Sequence, residues 1–201
     1  MRRDAIAVLA KAPVAGFAKT RLIPAIGAHA AAVLQERLTA HAVETAVAAG
    51  VGPVTLWCAP DAKHSSFRGL AARLPVTLEQ QPAGDLGLRM LTASQGAGLV
   101  IGSDCAAFTP AHLRAASAAL GEADVVLIPA EDGGYVLIGM REAHPALFED
   151  MSWGTPNVLA ETRTRIAALK LKAIELAPLW DVDTEDDLAR LEREHAELAL
   201  L

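Results

Sequence analysis

The stretch IAVLAKAPVAGFAKTRL, residues 6–22, joins an unbroken apolar run to a basic loop. The opening run IAVLA is apolar at every position, which is typical of a strand that is covered on both faces. The loop carries Lys11, Lys19 and Arg21 around Gly16. A glycine lets the backbone approach an anion closely, and the three cations suit phosphate oxygens. We therefore predict a central strand followed by a phosphate-binding loop, with a solvated basic turn as the alternative.

The rest of the chain alternates short apolar runs with longer helical patterns. The pattern predicts strands at 6–10, 54–58, 76–78, 99–101, 125–128, 135–138 and 173–176. It predicts helices at 28–49, 65–73, 86–94 and 110–120, a helix that Pro156 or Asn157 opens and that ends near Lys170, and a last helix capped by Thr184. Such alternation indicates an α/β fold with three α/β/α layers around a mostly parallel sheet. We expect residues 1–201 to form a single domain whose ligands bind beyond the carboxyl ends of the strands.

Composition argues against several classes of protein. Hydrophobic residues make up 52% of the 201 residues and charged residues 21%, which argues against disorder. The formal net charge is -6 and no basic stripe stands out, so nucleic acid is not an expected partner. No stretch approaches the roughly 18 apolar residues of a membrane span. Two cysteines without a spacing pattern predict neither a disulfide framework nor a zinc site. We expect a cytoplasmic protein, and the sequence leaves a monomer or a homodimer open.

Aspartates follow the predicted sheet strands at two places. The segment Gly102-Ser103-Asp104-Cys105 comes directly after the strand at 99–101, while Asp181 and Asp183 alternate along an extended segment and should share a side. Mg²⁺ and Mn²⁺ prefer such oxygens, usually one or two carboxylates plus substrate phosphates. Asp104 is therefore the first choice of metal ligand. The alternatives are a cap for the turn after the strand and favourable charge at a helix N-terminus.

The segment EDGGY, residues 131–135, is first of all a hairpin signal, because Asp-Gly between apolar runs favours a tight turn. The turn also follows a strand, so Asp132 should face the same edge of the sheet as Asp104. A carboxylate there suits the deprotonation of an acceptor hydroxyl. Alternatively, the tight turn by itself explains why glycines stand at the two positions Gly133 and Gly134.

Four further side chains are weaker candidates. Gln81 and Arg89 could hold a base or a sugar, although Arg89 could equally be a surface charge. Trp153 and Thr155 could wall an acceptor pocket, although a lone tryptophan is more often part of the core.

Taken in order along the chain, these segments resemble a known family. The likeness is carried by Lys11-Ala12-Pro13, Gly16, Lys19-Thr20-Arg21-Leu22, Asp85-Leu86-Gly87, Arg89-Met90, Gly102-Ser103-Asp104-Cys105, Asp132-Gly133-Gly134-Tyr135, Trp153-Gly154-Thr155 and Asp181-Val182-Asp183-Thr184. The set is similar to the GT-A-like bacterial transferases once filed as a domain of unknown function. They are now labelled selenodomain-associated transferases or arsenosugar-biosynthesis glycosyltransferases. They belong to the nucleotide-diphospho-sugar transferase superfamily, and 2-phospho-lactate and molybdenum cofactor guanylyltransferases are more distant likenesses.

The resemblance implies a GT-A fold, with Mg²⁺ or Mn²⁺ near Asp104 and Asp183. The nucleotide-binding residues would be Ala10, Lys11, Gly16, Lys19, Arg21, Gln81, Arg89 and Ser103. Gly133, Gly134, Trp153 and Thr155 would form the acceptor pocket. One departure is Ala106, which stands where relatives usually have a proline, and which frees the backbone after Asp104.

Three functions are compatible with these residues. In glycosyl transfer from a nucleotide sugar, the metal with Lys19 and Arg21 would stabilise the departing diphosphate, and Asp132 would be the base for a small-molecule acceptor. In nucleotidyl transfer, a phosphorylated small molecule would attack the α-phosphate of an NTP and release pyrophosphate. The third is a non-catalytic nucleotide-binding protein, which the missing proline motivates. We expect glycosyl transfer, with nucleotidyl transfer as the alternative.

Overall fold

The computed structural model describes residues 4–96 and 98–199. The strands in them are β1 Ile6–Lys11, β2 Val54–Ala59, β3 Val76–Gln80, β4 Leu99–Gly102, β5 Val125–Pro129, β6 Tyr135–Met140 and β7 Ala173–Glu175. They form one seven-stranded sheet with the order β3-β2-β1-β4-β6-β5-β7. Strand β6 runs antiparallel to both neighbours, and every other strand pair is parallel. The predicted mostly parallel sheet is confirmed, with a strand at each predicted position.

The helices are α1 Ile23–Ala49, α2 Ser65–Arg73, α3 Leu86–Ser94, α4 Pro110–Leu120, α5 Val158–Ala168 and α6 Glu185–Glu194. Gly27 interrupts α1 with φ 80 and ψ 159, so the regular helix begins at Ala28, where the sequence predicts it. Thr184 caps α6 by accepting a hydrogen bond from the backbone of Asp187, as predicted. Among the helices of the described residues, none is long and apolar enough to cross a bilayer.

Apolar side chains pack in a layer on each face of the sheet. On one face, Ile6 and Val8 of β1 lie in a buried cluster with side chains of α1, α2 and α4. On the other face, Ala7 and Leu9 lie in a cluster with side chains of α3 and α5. Successive residues of a strand point to opposite faces, so a strand that is apolar throughout can be covered on both. The three-layer α/β/α arrangement is therefore confirmed.

The segment that precedes α6 is held against the first half of α1. Trp180 and Val182 are buried in a third apolar cluster with leucines of α1. The backbone N–H of Val182 also donates to the carbonyl oxygen of Asp104 at 3.0 Å, which ties the segment to the end of β4. Because side chains alternate along an extended segment, burial of Trp180 and Val182 turns Asp181 and Asp183 the other way. Both aspartates face a cavity.

The hairpin predicted at residues 131–135 joins β5 to β6. Gly133 adopts a φ of +94, and a Cβ atom there would lie 2.2 Å from the carbonyl oxygen of Pro156. Only glycine satisfies both conditions without strain. Because β6 is antiparallel to β4, its first residue, Tyr135, lies at the edge where β4 ends.

Candidate active site

A cavity of about 970 Å³ opens at the carboxyl ends of the central strands. This volume is at the upper end of the roughly 300–1,000 Å³ that small-molecule sites occupy. Its wall contains the predicted site residues Ala10, Lys11, Lys19, Arg21, Gln81, Arg89, Ser103, Asp104 and Asp183. The structure therefore brings the basic loop, the end of β4 and the segment before α6 together at one site.

Lys19 lies at the centre of this arrangement. Its side chain is only 4% exposed, and its backbone adopts the left-handed conformation with φ 45. The ammonium contacts Val182 O at 2.6 Å, Asp104 Oδ1 at 2.8 Å and Asp183 Oδ1 at 3.2 Å. Burial opposes its charge, but the two carboxylates outweigh burial and raise the pKa of Lys19. An ammonium has three hydrogens, so these three oxygens match its capacity as a donor.

Arg21 and Lys11 are held more loosely than Lys19. Arg21 is 70% exposed and, among residues 4–96 and 98–199, pairs only with Asp183, from Nη1 to Oδ2 at 3.2 Å, so most of its donors face the cavity or solvent. Lys11 Nζ donates to the carbonyl oxygen of Phe17 at 2.7 Å, which folds the basic loop back on itself. Gly16 adopts a φ of +84 within that loop and lies outside the cavity wall.

Hydrogen bonds among buried polar side chains orient Asp104, and the sequence did not reveal them. The hydroxyl of Ser103 donates to Asp104 Oδ1 at 3.5 Å, and Gln35 Nε2 donates to that hydroxyl at 3.0 Å. Gln35 Nε2 also contacts the Thr39 hydroxyl at 3.2 Å. Gln35 and Thr39 are both buried in α1. The available signal was a glutamine and a threonine, four residues apart, among the apolar residues of a long helix.

Asp181 lines the cavity together with Asp183, but the sequence analysis assigned it no role of its own. Burial, and then the carboxylates of Asp132, Asp183 and Asp104, raise its pKa to about 7. Asp181 is therefore influenced by three other carboxylates, of which Asp104 contacts Lys19 and Asp183 contacts both Lys19 and Arg21. This excess of negative charge and the all-oxygen donor set suit a divalent cation such as Mg²⁺ or Mn²⁺.

A metal ion at this edge would need ligands from outside the protein. Within the described residues, no three His, Cys, Asp or Glu side chains lie close enough together to hold an ion by themselves. Asp104 and Asp183 would supply carboxylate oxygens, and phosphate or water oxygens would complete the shell, as is usual for Mg²⁺. The residues present therefore fit a divalent ion that binds together with a phosphorylated ligand.

The predicted base lies outside the cavity wall. Asp132 is exposed, and its Oδ1 accepts a hydrogen bond from the backbone N–H of Gly134 at 2.9 Å within the hairpin. The hairpin nevertheless lies beside the segment before α6, since the backbone N–H of Glu131 donates to the carbonyl oxygen of Leu179 at 3.0 Å, and the carboxylate of Asp132 contributes to the raised pKa of Asp181. Gly133 and Gly134 serve the turn and its packing on Pro156.

The other two predicted acceptor residues are engaged locally and also lie outside the cavity wall. Trp153 packs against the apolar cluster of α3 and α5. Its Nε1 would lie 2.9 Å from a Cβ atom placed on Gly87, which explains the glycine in α3. Thr155 donates its hydroxyl hydrogen to the carbonyl oxygen of Ser152 at 2.8 Å.

The two residues that follow Asp104, Cys105 and Ala106, are both buried. Ala106, where the resemblance implies a proline, is fully buried in the third apolar cluster. The backbone bond from Val182 to Asp104 ties the segment before α6 to this strand end. Burial raises the pKa of the Cys105 thiol to about 12, so the thiol stays protonated near neutral pH and is a poor nucleophile.

Comparison with solved structures gives the same fold for the whole chain. A protein of Desulfovibrio desulfuricans G20, provisionally described as a nucleotide-diphospho-sugar transferase, is 27% identical with a TM-score of 0.84, over 98% of this chain and 90% of that one. The CTP complex of CMP:2-keto-3-deoxy-manno-octonic acid synthetase is 13% identical with a TM-score of 0.57, over 96% and 99%. The 4-diphosphocytidyl-2C-methyl-D-erythritol synthase of Anaerococcus prevotii DSM 20548 is 12% identical with a TM-score of 0.56, over 92% and 95%. No curated protein matches the chain.

The fold, which the Desulfovibrio protein shares over nearly the whole chain, defines the class of protein, a nucleotide-based transferase with the nucleotide-diphospho-sugar transferase fold. More narrowly, the chain belongs to the bacterial family DUF2064, described as "Uncharacterized protein conserved in bacteria", whose model matches residues 42–155. The predicted membership of a former domain of unknown function within this superfamily is confirmed.

Proposed function

We propose that the protein is a metal-dependent glycosyltransferase that uses a nucleotide-diphosphate sugar and a small-molecule acceptor. The observation that carries the proposal is the convergence of Asp104 and Asp183 with Lys19 and Arg21 on one edge of a cavity large enough for a nucleotide sugar. The description of the Desulfovibrio protein, which is similar over nearly the whole chain, supports the same reaction.

The cavity suggests a division of roles among the nucleotide-binding residues. Ala10, Lys11, Gln81 and Ser103 line the wall along which the nucleoside would lie. The exposed guanidinium of Arg21 would bind the diphosphate through the donors that Asp183 leaves free. Gly16 would give the basic loop its turn. Lys19 would act mainly by holding the two metal-binding carboxylates in place, because its ammonium is already engaged by them.

The metal and the base complete the proposed site. A divalent ion, Mg²⁺ or Mn²⁺, supplies positive charge that offsets the charge developing on the departing diphosphate. Asp132 remains the proposed base for the acceptor hydroxyl, in a hairpin at the acidic edge. With Gly133, Gly134, Trp153 and Thr155, it would border the acceptor.

A second candidate function, nucleotidyl transfer to a phosphorylated acceptor, is favoured by one observation. Arg89 lines the cavity, and its Nε has no hydrogen-bond partner within the described residues. A cation in that position suits a second anionic group. Both reactions need a neutralised diphosphate or pyrophosphate, so the acidic edge serves either.

A thermal-shift panel tests the proposal. UDP-glucose, GDP-mannose, CTP and GTP are each added with Mn²⁺ and with a chelator. We expect stabilisation that needs Mn²⁺, with sugar nucleotides favouring glycosyl transfer and triphosphates favouring nucleotidyl transfer. Unchanged binding in chelator would count against a metal-dependent enzyme.

A variant of Asp104 tests the metal site. With the donor that stabilises the protein best, Asp104→Asn should lower turnover by roughly 100-fold or more, because transition-state charge is no longer offset. The Mn²⁺-dependent thermal shift should disappear in the same variant. Asp186→Asn is the matched control, since Asp186 is exposed in the first turn of α6 and lies outside the cavity wall. Full activity of Asp104→Asn would remove Asp104 from the mechanism.

A further inference from the structure

Arg89 differs from the other cationic side chains of the cavity. Lys11, Lys19 and Arg21 each donate to a protein oxygen. Arg89 has neither a hydrogen bond nor an ion pair from its guanidinium to any residue in 4–96 or 98–199, and its Nε is buried. Asp85, the acid closest to it in sequence, already accepts the backbone N–H of Leu88 at 2.9 Å as the cap of α3.

A buried donor without an acceptor is costly. Leaving such a group unsatisfied destabilises a protein, and the loss is greater when the group is charged. Arg89 nevertheless lies in a cavity wall, where a ligand can reach it. An anion bound there would accept hydrogen bonds from the guanidinium and offset its charge, and a phosphate or carboxylate matches its planar fork.

Exposed apolar side chains gather at the same cavity. Of the five large apolar side chains that are exposed within the described residues, Val14, Phe17 and Leu86 line the cavity, with exposures of 39%, 66% and 44%. Leu86 and Arg89 both belong to α3 and are three residues apart, so they lie on neighbouring positions of one helix face. The wall around α3 therefore offers a cation next to apolar surface.

We propose that this wall binds the second substrate, and that this substrate is an anion with an apolar portion. Its phosphate or carboxylate would bind the Arg89 guanidinium, and its apolar portion would contact Leu86 and Phe17. The donor's diphosphate has its own partners at the acidic edge, namely Arg21 and the metal-binding aspartates. This inference rests on the proposed transferase function and names the chemical class of its acceptor.

The test uses small probes that separate charge from apolarity. Phenyl phosphate and benzoate carry both features, inorganic phosphate carries only the charge, and benzyl alcohol only the ring. Dissociation constants are measured by NMR titration of the full-length protein. We expect phenyl phosphate or benzoate to bind more tightly than inorganic phosphate and benzyl alcohol, and to bind equally well when Mn²⁺ and a nucleotide are present.

Substitutions then test which residue binds the charged group of a probe and which contacts its apolar ring. Arg89→Gln should weaken binding of the anionic probes about tenfold or more, and Arg89→Lys less, because lysine keeps the charge without the fork. Arg114→Gln, an exposed arginine of α4 outside the cavity wall, is the matched control. Leu86→Ser should weaken phenyl phosphate but not inorganic phosphate, whereas Leu169→Ser, a similarly exposed leucine elsewhere, should weaken neither.

Two results would overturn the inference. One is equal binding of the anionic probes to Arg89→Gln and Arg114→Gln. The other is displacement of the probes by the nucleotide with Mn²⁺, which would assign Arg89 to the donor. A failure of the proposed function gives a different result. The thermal-shift panel of nucleotides would then show no Mn²⁺-dependent stabilisation, while binding of the probes would still depend on Arg89.

Discussion

At the scale of single residues, the site depends most on Lys19. Its left-handed backbone is uncommon for a residue with a side chain and is maintained only where surrounding contacts favour it. Here the contacts are an ammonium shared between Asp104 and Asp183, which belong to distant parts of the chain. A buried cation thus keeps two carboxylates at one edge of the cavity, where they would otherwise repel each other.

Replacing Lys19 tests this role. Lys19→Met leaves the two carboxylates without their buried partner, and we expect the free energy of unfolding to fall by about 2 kcal/mol, less than for a fully buried pair because both carboxylates are partly exposed. Urea unfolding in chelator gives the value. Added Mn²⁺ should restore part of the loss. Lys63→Met, an exposed lysine, is the control, and equal midpoints for the two variants would contradict the prediction.

The raised pKa of Asp181 predicts a pH dependence of stability. Its folded-state pKa of about 7 lies above the ordinary value of 3.8, so the folded protein binds the proton more tightly than the unfolded chain. This contribution is present at low pH and is lost as the pH rises between those two values. Asp181→Asn should therefore raise the melting temperature, relative to the parent protein, more at about pH 8 than at about pH 5. Melting curves in chelator provide the test, and a difference independent of pH would refute it.

At the scale of elements, local patterns predicted the strands and helices well. The apolar run of β1 and the capping residue Thr184 act over a few neighbouring residues, so both are visible in sequence. The hairpin at residues 131–135 is similar, because its glycine requirement is local. A local pattern did not show where the hairpin lies relative to the cavity.

The hairpin offers a matched pair of glycine variants. Gly133→Ala meets both an unfavourable φ and the carbonyl oxygen of Pro156, whereas Gly50→Ala at the end of α1 meets an unfavourable φ with open space around it. We expect Gly133→Ala to lose more stability, by roughly 1–3 kcal/mol beyond the loss at Gly50. Denaturant unfolding measures both. Equal losses would mean that the hairpin can move away from Pro156.

At the scale of the whole molecule, the sheet order decides which segments meet. Alternating strands and helices predict a parallel sheet, but they do not place β6 between β4 and β5. That placement brings the hairpin to the edge where β4 ends, and the carboxylate of Asp132 in it contributes to the raised pKa of Asp181. Such long-range proximity depends on packing of complete layers, which a single segment does not encode.

The predicted site separates into residues with a sequence signal and residues without one. The basic loop and the aspartates after strands were identifiable because ligands bind at carboxyl strand ends. The hydrogen bond of Gln35 and the ion pairs of Lys19 with carboxylates could not be identified from the sequence. Each joins two side chains that are more than sixty positions apart in the chain. Trp153 and Thr155 carry family-like motifs, yet their observed contacts are local packing and a turn.

By itself, the amino-acid sequence determined the elements, their order, the family and the chemical character of the loops, because hydrophobic period, capping and turn preferences act locally. Only the tertiary structure decided that Lys19 bridges Asp104 and Asp183, that Asp181 joins their edge, and that Arg89 lines the cavity with an Nε that has no hydrogen-bond partner among residues 4–96 and 98–199. The physical reason is that charge pairing and burial depend on distances between side chains, and those distances arise only when the layers pack together.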